Sequence, residues 1–589
     1  MQMFPKLKKK LDGNLEQKLK MESGNTSNTI TVSKYLVSLI KKEGIDMVPV
    51  LTGGNIMKVI DDLALCPNIN YISPNHEQAL AMIVDAYARI KGFGVGMVTS
   101  GPGGTNLVTG IACAYYDSIP CMFITGQVGM YHVKGERAVR QRGFQETDII
   151  SMIKPITKYA VLLDDPEKIR YEFEKAVYIA KSGRPGPVLI DLPYNVQRIL
   201  INPDKLVGFI PKKVKDGHKL QLEKNSKKIV EEINSAKKPL ILIGGGVRLA
   251  NQVETINEIV NYLKIPIVTT WGALDVFDWN HKLYGGNIGR LGNPSALKII
   301  SGCDLLITFG TRFSTKAIIN EKEFSKQAKI ISVDADTAEL NEGLISPHIK
   351  IKAELQEFLP YFLHLLRKQK ISLNINNWRD EVNKLKAGFF DIKSPPANNR
   401  NYVNPYYFME VLSELLKKND IIVADCGTNL TWVVQGYKPK KGQRFISAWG
   451  CSPMGYSFAA SIGAYYANPS VNIIATIGDG GFQMNIQELQ TVAINKVPIK
   501  VFILNNQCYA NIKFPAREQF DGRTFATEPT NGYKAPDFVK IATAYGLKAV
   551  RLKSNKNLKE KIKDIISEEK PMIIDVMCDP ELFVFDNIK

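Results

Sequence analysis

Short apolar runs alternate with helical periodicity along most of the chain. GVGMVTS (94–100) precedes GPGGTNLVTGIACAYY. PLILIGGG (239–246) precedes VRLANQVETINEIVNYL, and VNIIATIG (471–478) precedes DGGFQMNIQELQTVAIN. An apolar run short enough for a buried strand, a Gly-rich turn and then apolar positions at helical spacing together mark a βα unit. Repeated, such units build parallel sheets covered by helices on both faces. The pattern predicts an α/β chain of three open, mostly parallel, doubly wound domains. Two stretches break it: 200–222 lacks periodicity and carries Pro, Gly and Lys, and 391–402 is rich in Pro and Asn. They divide the chain into blocks 28–199, 223–390 and 403–589, each large enough for one open α/β domain. Residues 1–27 are polar and read as a flexible N-terminal extension, within which Met21 is a second candidate start.

Composition narrows the class. The 589 residues are 45% hydrophobic and 23% charged, the balance of a globular protein, which excludes a disordered chain, a collagen and a coiled-coil rod. The net charge is +18. Its basic residues are scattered except near 6–10 and 438–441, and no helix-turn-helix, RNP or zinc-finger pattern accompanies them. The charge therefore reads as a Lys-rich surface, with a basic nucleic-acid-binding protein as the competing class. The eight cysteines form no C-x-x-C pair, the usage of a reduced, cytoplasmic protein without a zinc ribbon or disulfide framework. No run approaches the ~18 apolar residues of a membrane span, and 1–27 lacks the apolar core of a secretion signal.

The strongest chemical signal lies in the last block. One apolar run ends in Gly478-Asp479-Gly480-Gly481, and a second, 499–504, ends in Asn505-Asn506. The 27 residues from Asp479 to Asn506 span one strand–helix–strand unit, with a single helix expected between. A βαβ crossover returns the chain parallel, so both tips lie at the same carboxyl edge of the sheet, where open α/β sheets bind ligands. A carboxylate beside an amide carbonyl is a pair of hard oxygen ligands suited to Mg2+. The glycines let backbone N–H groups approach a phosphate. The local reading is a Mg2+–diphosphate site, weighed against two ordinary turns.

G-D-G, some 25 residues, then N-N resembles the thiamin diphosphate (ThDP) motif, and the chain from about 30 to 580 resembles the acetolactate synthase branch of ThDP-dependent enzymes. The resemblance names the three domains pyrimidine-binding, central and diphosphate-binding. It implies that Asp479, Asn506 and the main-chain carbonyl of Cys508 ligate Mg2+, among Gly478, Gly480 and Gly481. Asn75-His76-Glu77-Gln78-Ala79, followed by DAYARIKGFGVGMVTSGPGGTNL, resembles the pyrimidine-binding segment. Glu77 is then the carboxylate that hydrogen-bonds the aminopyrimidine ring and favours its imino tautomer. Met454 lies 25 residues before Asp479, as the family's wedge Met does, and Gly427-Thr428-Asn429 matches its diphosphate-anchoring turn. Ser100 to Asn106 is Gly-rich but lacks a P-loop Lys. In the family it helps shape the active site.

Phe144-Gln145-Glu146 resembles the A-F-Q-E segment of acetolactate synthases, which places Phe144 and Gln145 across from the cofactor. Gly53-Gly54 corresponds to that branch's P-G-G turn, with Thr52 for Pro. The His pair of simple pyruvate decarboxylases is missing. The resemblance therefore implies a catalytic set of Glu77, Gln145, Phe144 and Gly53. In the middle block, Gly310-Thr311-Arg312-Phe313 and Asp334-Ala335-Asp336 resemble the FAD-carrying form, whereas STKAI (314–318) departs from it. FAD and an empty spacer both stay open. Tyr194 replaces a family Lys. NNQCYANIKFPAREQF (505–520) puts Asn511 and Pro515 where Met and a substrate-selecting Trp are usual, a form similar to ThDP enzymes of sugar and cell-surface biosynthesis. The resemblance implies a transferase: a ThDP- and Mg2+-dependent decarboxylating carboligase. It would take pyruvate or another 2-keto acid as donor and a carbonyl acceptor that includes keto-sugars. Its active sites would lie between chains of a homodimer or homotetramer. A non-ligating decarboxylase and a FAD-dependent oxidase are the alternatives.

Overall fold

The computed structural model describes residues 28–211, 218–369, 371, 373–389 and 401–584. The expected N-terminal extension and much of the second linker lie outside these. Three six-stranded sheets account for the core, and every strand pair within them is parallel. The first contains β1 (Met47–Leu51), β2 (Asn70–Ile72), β3 (Gly94–Val98), β4 (Cys121–Gln127), β5 (Tyr159–Leu162) and β6 (Val188–Pro193). The second contains β7 (Pro239–Ile243), β8 (Ile267–Thr269), β9 (Tyr284–Asn287), β10 (Leu305–Phe309), β11 (Lys329–Asp334) and β12 (Ile349–Lys352). The third contains β13 (Ile421–Ala424), β14 (Arg444–Ile446), β15 (Ile473–Gly478), β16 (Lys500–Asn505), β17 (Lys548–Leu552) and β18 (Met572–Met577). The expected α/β class, with three doubly wound parallel domains, is the observed one.

The strand orders are β2-β1-β3-β4-β6-β5, β9-β8-β7-β10-β11-β12 and β14-β13-β15-β16-β18-β17. The first and third sheets thus share one topology, which no repeat in the sequence betrays. The middle sheet has the order of dinucleotide-binding folds, with its switch point between β7 and β10.

The first and third domains meet along two helices. Helix α1 (Glu77–Lys91) starts at His76, whose ring accepts the Gln78 N–H, and stops at Gly92 in the left-handed conformation. A surface helix shows one apolar stripe, but α1 is buried all round from Ala79 to Ala88. It packs on α2 (Tyr456–Ala467), which is equally apolar. Small residues allow the approach. A Cβ on Gly463 of α2 would stand 2.1 Å from the Ile83 carbonyl, and one on Gly110 2.2 Å from the Ala81 Cβ.

Charge is satisfied within this seam. Asp85 is fully buried, ion-paired to Arg89 at 2.7 Å and hydrogen-bonded by the Tyr456 hydroxyl. Arg89 reaches Asp117 at 2.7 Å, and Asp117 accepts the N–H groups of Trp449 and Gly450, both at 2.8 Å. Among the described residues no helix is long and apolar enough to cross a membrane.

Gly463→Val forces a branched side chain against the α1 backbone, so overpacking of this kind is expected to cost at least ~1–3 kcal/mol. Thermal unfolding followed by circular dichroism checks this. An unchanged melting temperature would show that the two helices are not locked together.

Candidate active site

The carboxyl edge of the third sheet gathers four turns. β15 ends at Gly478, and helix α3 (Asp479–Met484) starts immediately. β16 ends at Asn505, and Gln507 beyond it takes a left-handed backbone, φ 56°. The two tips touch: a Cβ on Gly480 would strike the Tyr509 ring at 2.1 Å. The single helix expected between these strands is two, α3 and α4 (Glu488–Asn495). The break falls at Asn485, whose amide leaves the helix to donate to the Gly455 carbonyl at 2.9 Å.

Asp479 is buried. One oxygen accepts the Gly480 N–H at 3.0 Å, and the other, Oδ2, has no hydrogen-bond partner. Burial pushes its carboxyl up to about 7. A buried unpartnered carboxylate oxygen is costly, and a bound cation removes that cost. Asn506 is buried beside it and Cys508 follows. The Cys508 thiol is turned to the Pro580 carbonyl at 3.8 Å, and burial pushes it up to about 12. The side-chain oxygens of Asp479 and Asn506 are hard donors of the kind that Mg2+ would take.

Gly427, Thr428 and Asn429 open the helix after β13, with Gly427 at φ 74°. The Asn429 amide donates to the Thr476 carbonyl at 3.1 Å, while its own carbonyl is buried without a partner. The organiser of this edge is Asp425, which sequence reasoning missed. It is buried at the tip of β13 and accepts the Gly455 N–H at 3.0 Å, next to Met454. A Cβ on Gly481 would meet its carboxylate at 2.1 Å. One carboxylate thus packs the Met454 loop against the Gly-Asp-Gly-Gly turn. The only hint in the sequence was an Asp closing an apolar run.

A second cluster forms at the carboxyl edge of the first sheet. Glu77 is the first residue of α1, and its carboxylate accepts from the Asn106 amide at 2.9 Å. Asn106 closes the Gly-rich 100–106 loop, whose Ser100 hydroxyl accepts from Asn55 at 2.6 Å. Gly53 abuts Thr99, which a Cβ would strike at 2.5 Å. Gln145 has a left-handed φ of 63° and leans on Gly101. Glu77, Gly53, Gln145 and the Gly-rich loop therefore converge, while Phe144 is 85% exposed. Glu146 holds this loop: despite its burial, the N–H groups of Lys134, Arg142 and Gly143 keep its carboxyl below the usual range.

No hydrogen bond among the described residues joins Glu77 to the Asp479 cluster of the same chain. Glu488 ties the two edges only indirectly, accepting the Asn75 N–H at 3.0 and 3.1 Å.

A cavity of about 420 Å3 opens at the switch point of the middle sheet. It is lined by Gly245, Gly246, Trp271, Gly310, Arg312 and Asp334, and it extends to Gly427 and Asn511 of the third domain. A Cβ on Gly244 would lie 2.0 Å from the Gly310 carbonyl, so the glycines here let two strand tips meet. Burial pushes Asp334 up to about 6. Asn511 accepts the Thr428 hydroxyl at 2.9 Å. Lys513, two residues on, is buried and ion-paired to Glu528 at 3.0 Å and to Glu581 at 2.6 Å.

Three family models match in order along the chain. The thiamine pyrophosphate enzyme N-terminal TPP binding domain covers residues 30–152, the central domain 226–362 and the C-terminal TPP binding domain 425–576. A probable acetolactate synthase large subunit of Methanocaldococcus jannaschii is 36% identical over 93% of this chain and 92% of its own length. The acetolactate synthase large subunit of Lactococcus lactis is 32% identical over 95% and 94%. The chloroplastic acetolactate synthase 1 of Nicotiana tabacum is 32% identical over 92% and 81%.

Asp479→Asn removes the buried charge at the tip of β15. Mg2+-dependent ThDP binding, read by quenching of intrinsic fluorescence, is expected to weaken by more than the ~10–100-fold of an outer-shell loss. Cys508→Ser keeps the carbonyl and is expected to bind like the unaltered protein. A Cys508→Ser protein as weak as Asp479→Asn would mean that the thiol, not the backbone, is the ligand.

Proposed function

The chain belongs to the thiamine pyrophosphate enzymes of the acetolactate synthase type, and on that premise we propose that it is a Mg2+-dependent decarboxylating carboligase. Its donor is pyruvate or a closely related 2-keto acid. The observation that carries this reading is the buried, unpartnered Asp479 oxygen at the meeting of two strand tips, with a second carboxylate, Glu77, prepared at another sheet edge. When bound, ThDP supplies the carbon nucleophile and electron sink through which a 2-keto acid loses CO2 and its remainder passes to a carbonyl.

The residues divide that work. Asp479, Asn506 and the Cys508 carbonyl would hold Mg2+, and Gly427, Thr428 and Asn429 would present their backbone N–H groups to the diphosphate. The Mg2+ is structural to cofactor binding. Asn106 fixes one oxygen of Glu77 and leaves the other free to share a proton with the cofactor's pyrimidine ring. Met454 props the cofactor, and Gln145 with the Gly53 backbone orients the donor. FAD is the occupant proposed for the middle-domain cavity, where glycine tips approach a dinucleotide at a switch point. Its role there is structural, and purified protein that carries no flavin absorbance would make the domain a spacer.

The acceptor proposed is a hydroxylated carbonyl compound such as a keto-sugar. Support comes from the wall that borders the turn at Gly427. Where relatives of the acetolactate synthase branch carry an apolar stretch, this chain has the Thr428–Asn511 hydrogen bond and a helix, Ala510–Gln519, anchored by Lys513 ion pairs. Such a wall offers polar partners to hydroxyl groups that an apolar wall would leave unpaired.

Two measurements test the reading. Pyruvate turnover is expected to release CO2 slowly alone and faster with an added keto-sugar, with the coupled product identified by mass spectrometry. Rapid acetolactate formation would make pyruvate the acceptor, acetaldehyde would indicate a decarboxylase and peroxide an oxidase. The site is proposed to form between two chains of a homodimer, which accords with the exposure of Phe144. Glu77→Gln and Asp479→Asn are each expected to abolish turnover. Mixed dimers of the two then carry one intact site, restoring roughly a quarter of full activity after random mixing. No recovery on mixing would place each site within a single chain.

A further inference from the structure

The seam between the first and third domains holds a pair of cysteines that the proposed reaction does not use. Cys113 lies on helix Val108–Tyr116 of the first domain and is fully buried. Cys451 lies in the loop of the third domain that leads to Met454, and it packs, half-buried, on the apolar cluster that contains Cys113. The loop is clamped there. Asp117, one helical turn beyond Cys113, accepts the Trp449 and Gly450 N–H groups. A Cβ on Gly450 would lie 2.5 Å from the Tyr116 Cβ. Gly450, the residue before Cys451, thus packs on the turn that follows Cys113, and both cysteines face the same apolar seam.

We propose that Cys451 and Cys113 form a thiol-modification site: Cys451 is the reactive thiol, Cys113 the resolving one, and the product is a reversible disulfide across the domain seam. The site is selective. Burial pushes Cys121, Cys303, Cys426, Cys508 and Cys578 up. Cys451, the more exposed of the two, alone is pulled down, to about 7, by the neighbouring Cys113 thiol, and Cys113 is raised in turn. Burial and the Asp117 charge oppose a thiolate at Cys451, and burial, Asp85 and Asp117 oppose one at Cys113. Arg89, ion-paired to both carboxylates, offsets part of their field.

The oxidant is a low-molecular-weight disulfide, such as oxidised glutathione. The Cys451 thiolate attacks one of its sulfurs, forming a mixed disulfide and expelling one thiolate. Cys113 then loses its proton and attacks the Cys451 sulfur, expelling the second. Two protein thiols and one small disulfide become one protein disulfide and two small thiols. The link would join the helix beside Asp117 to the loop between Asp117 and Asp425, three residues from Met454.

The test uses the full-length protein with oxidised glutathione, followed by peptide mass spectrometry without reduction. A Cys113–Cys451 cross-link, reversed by dithiothreitol, is expected. Cys113→Ser is expected to stop at a glutathionyl adduct on Cys451, and its Cys451 to react with iodoacetamide about tenfold more slowly at pH 7, since the influence of the neighbouring thiol is lost. In the unaltered protein the rate of Cys451 alkylation is expected to rise with pH through a midpoint near 7. A glutathionyl adduct that persists on Cys451 of the unaltered protein, or modification of Cys66 with Cys451 untouched, would overturn the proposal. The pH profile needs no variant, so it decides even if Cys113→Ser fails to fold.

Discussion

Everything in the first and third domains is positioned by the contact between helix Glu77–Lys91 and helix Tyr456–Ala467. Gly463 brings one backbone against the other at Ile83, and Gly110 does the same from the opposite side. Close-packed interiors leave no slack for sliding. Glu77 and the Asn75 clamp sit at the N-terminal end of the first helix, and the Met454 loop feeds the second. The helix pair therefore sets how the two carboxyl edges are disposed, and the Asp85–Arg89–Asp117 network extends the same registration to the loop at Trp449 and Gly450.

The seam and the edge of the third sheet differ in how their buried carboxylates are met. At the seam, Asp85 and Arg89 are deeply buried but paired, which limits the desolvation cost. At the edge of the third sheet, Asp479 Oδ2 and Asn429 Oδ1 are buried and unpaired. Unpaired buried groups are rare in structures and cluster where ligands bind. The same logic explains Asp425, a buried carboxylate that is occupied by the Gly455 N–H and packed on Gly481.

The first and third sheets share one strand order although their sequences show no repeat. Topology of this kind is constrained by crossover handedness and strand adjacency, and apolar residues exchange freely under that constraint. The two edges have nevertheless diverged in chemistry. One presents a carboxylate steadied by Asn106, and the other presents hard oxygen donors and glycine turns. The middle sheet, wound in a different order, carries a cavity instead of either, and that cavity reaches the turn at Gly427 and Asn511.

The sequence by itself determined the fold class, because alternation of short apolar runs with helical periodicity is a local property that survives without neighbours. It also singled out Asp479, Asn506 and Glu77 as candidates, since a G-D-G and N-N spacing and the segment around Glu77 are continuous in the chain. Tertiary structure decided what depends on contact between distant segments. The split helix at Asn485 follows from an amide drawn to Gly455, 30 residues away in sequence, a pull stronger than helical propensity. Asp425 gained its role only when three turns met over it, and Asn106 only when its loop folded back on Glu77. The contact of the Trp449–Gly450 loop with Tyr116 and Asp117 joins two domains, and no spacing along the chain encodes a contact made by packing one helix pair across a seam.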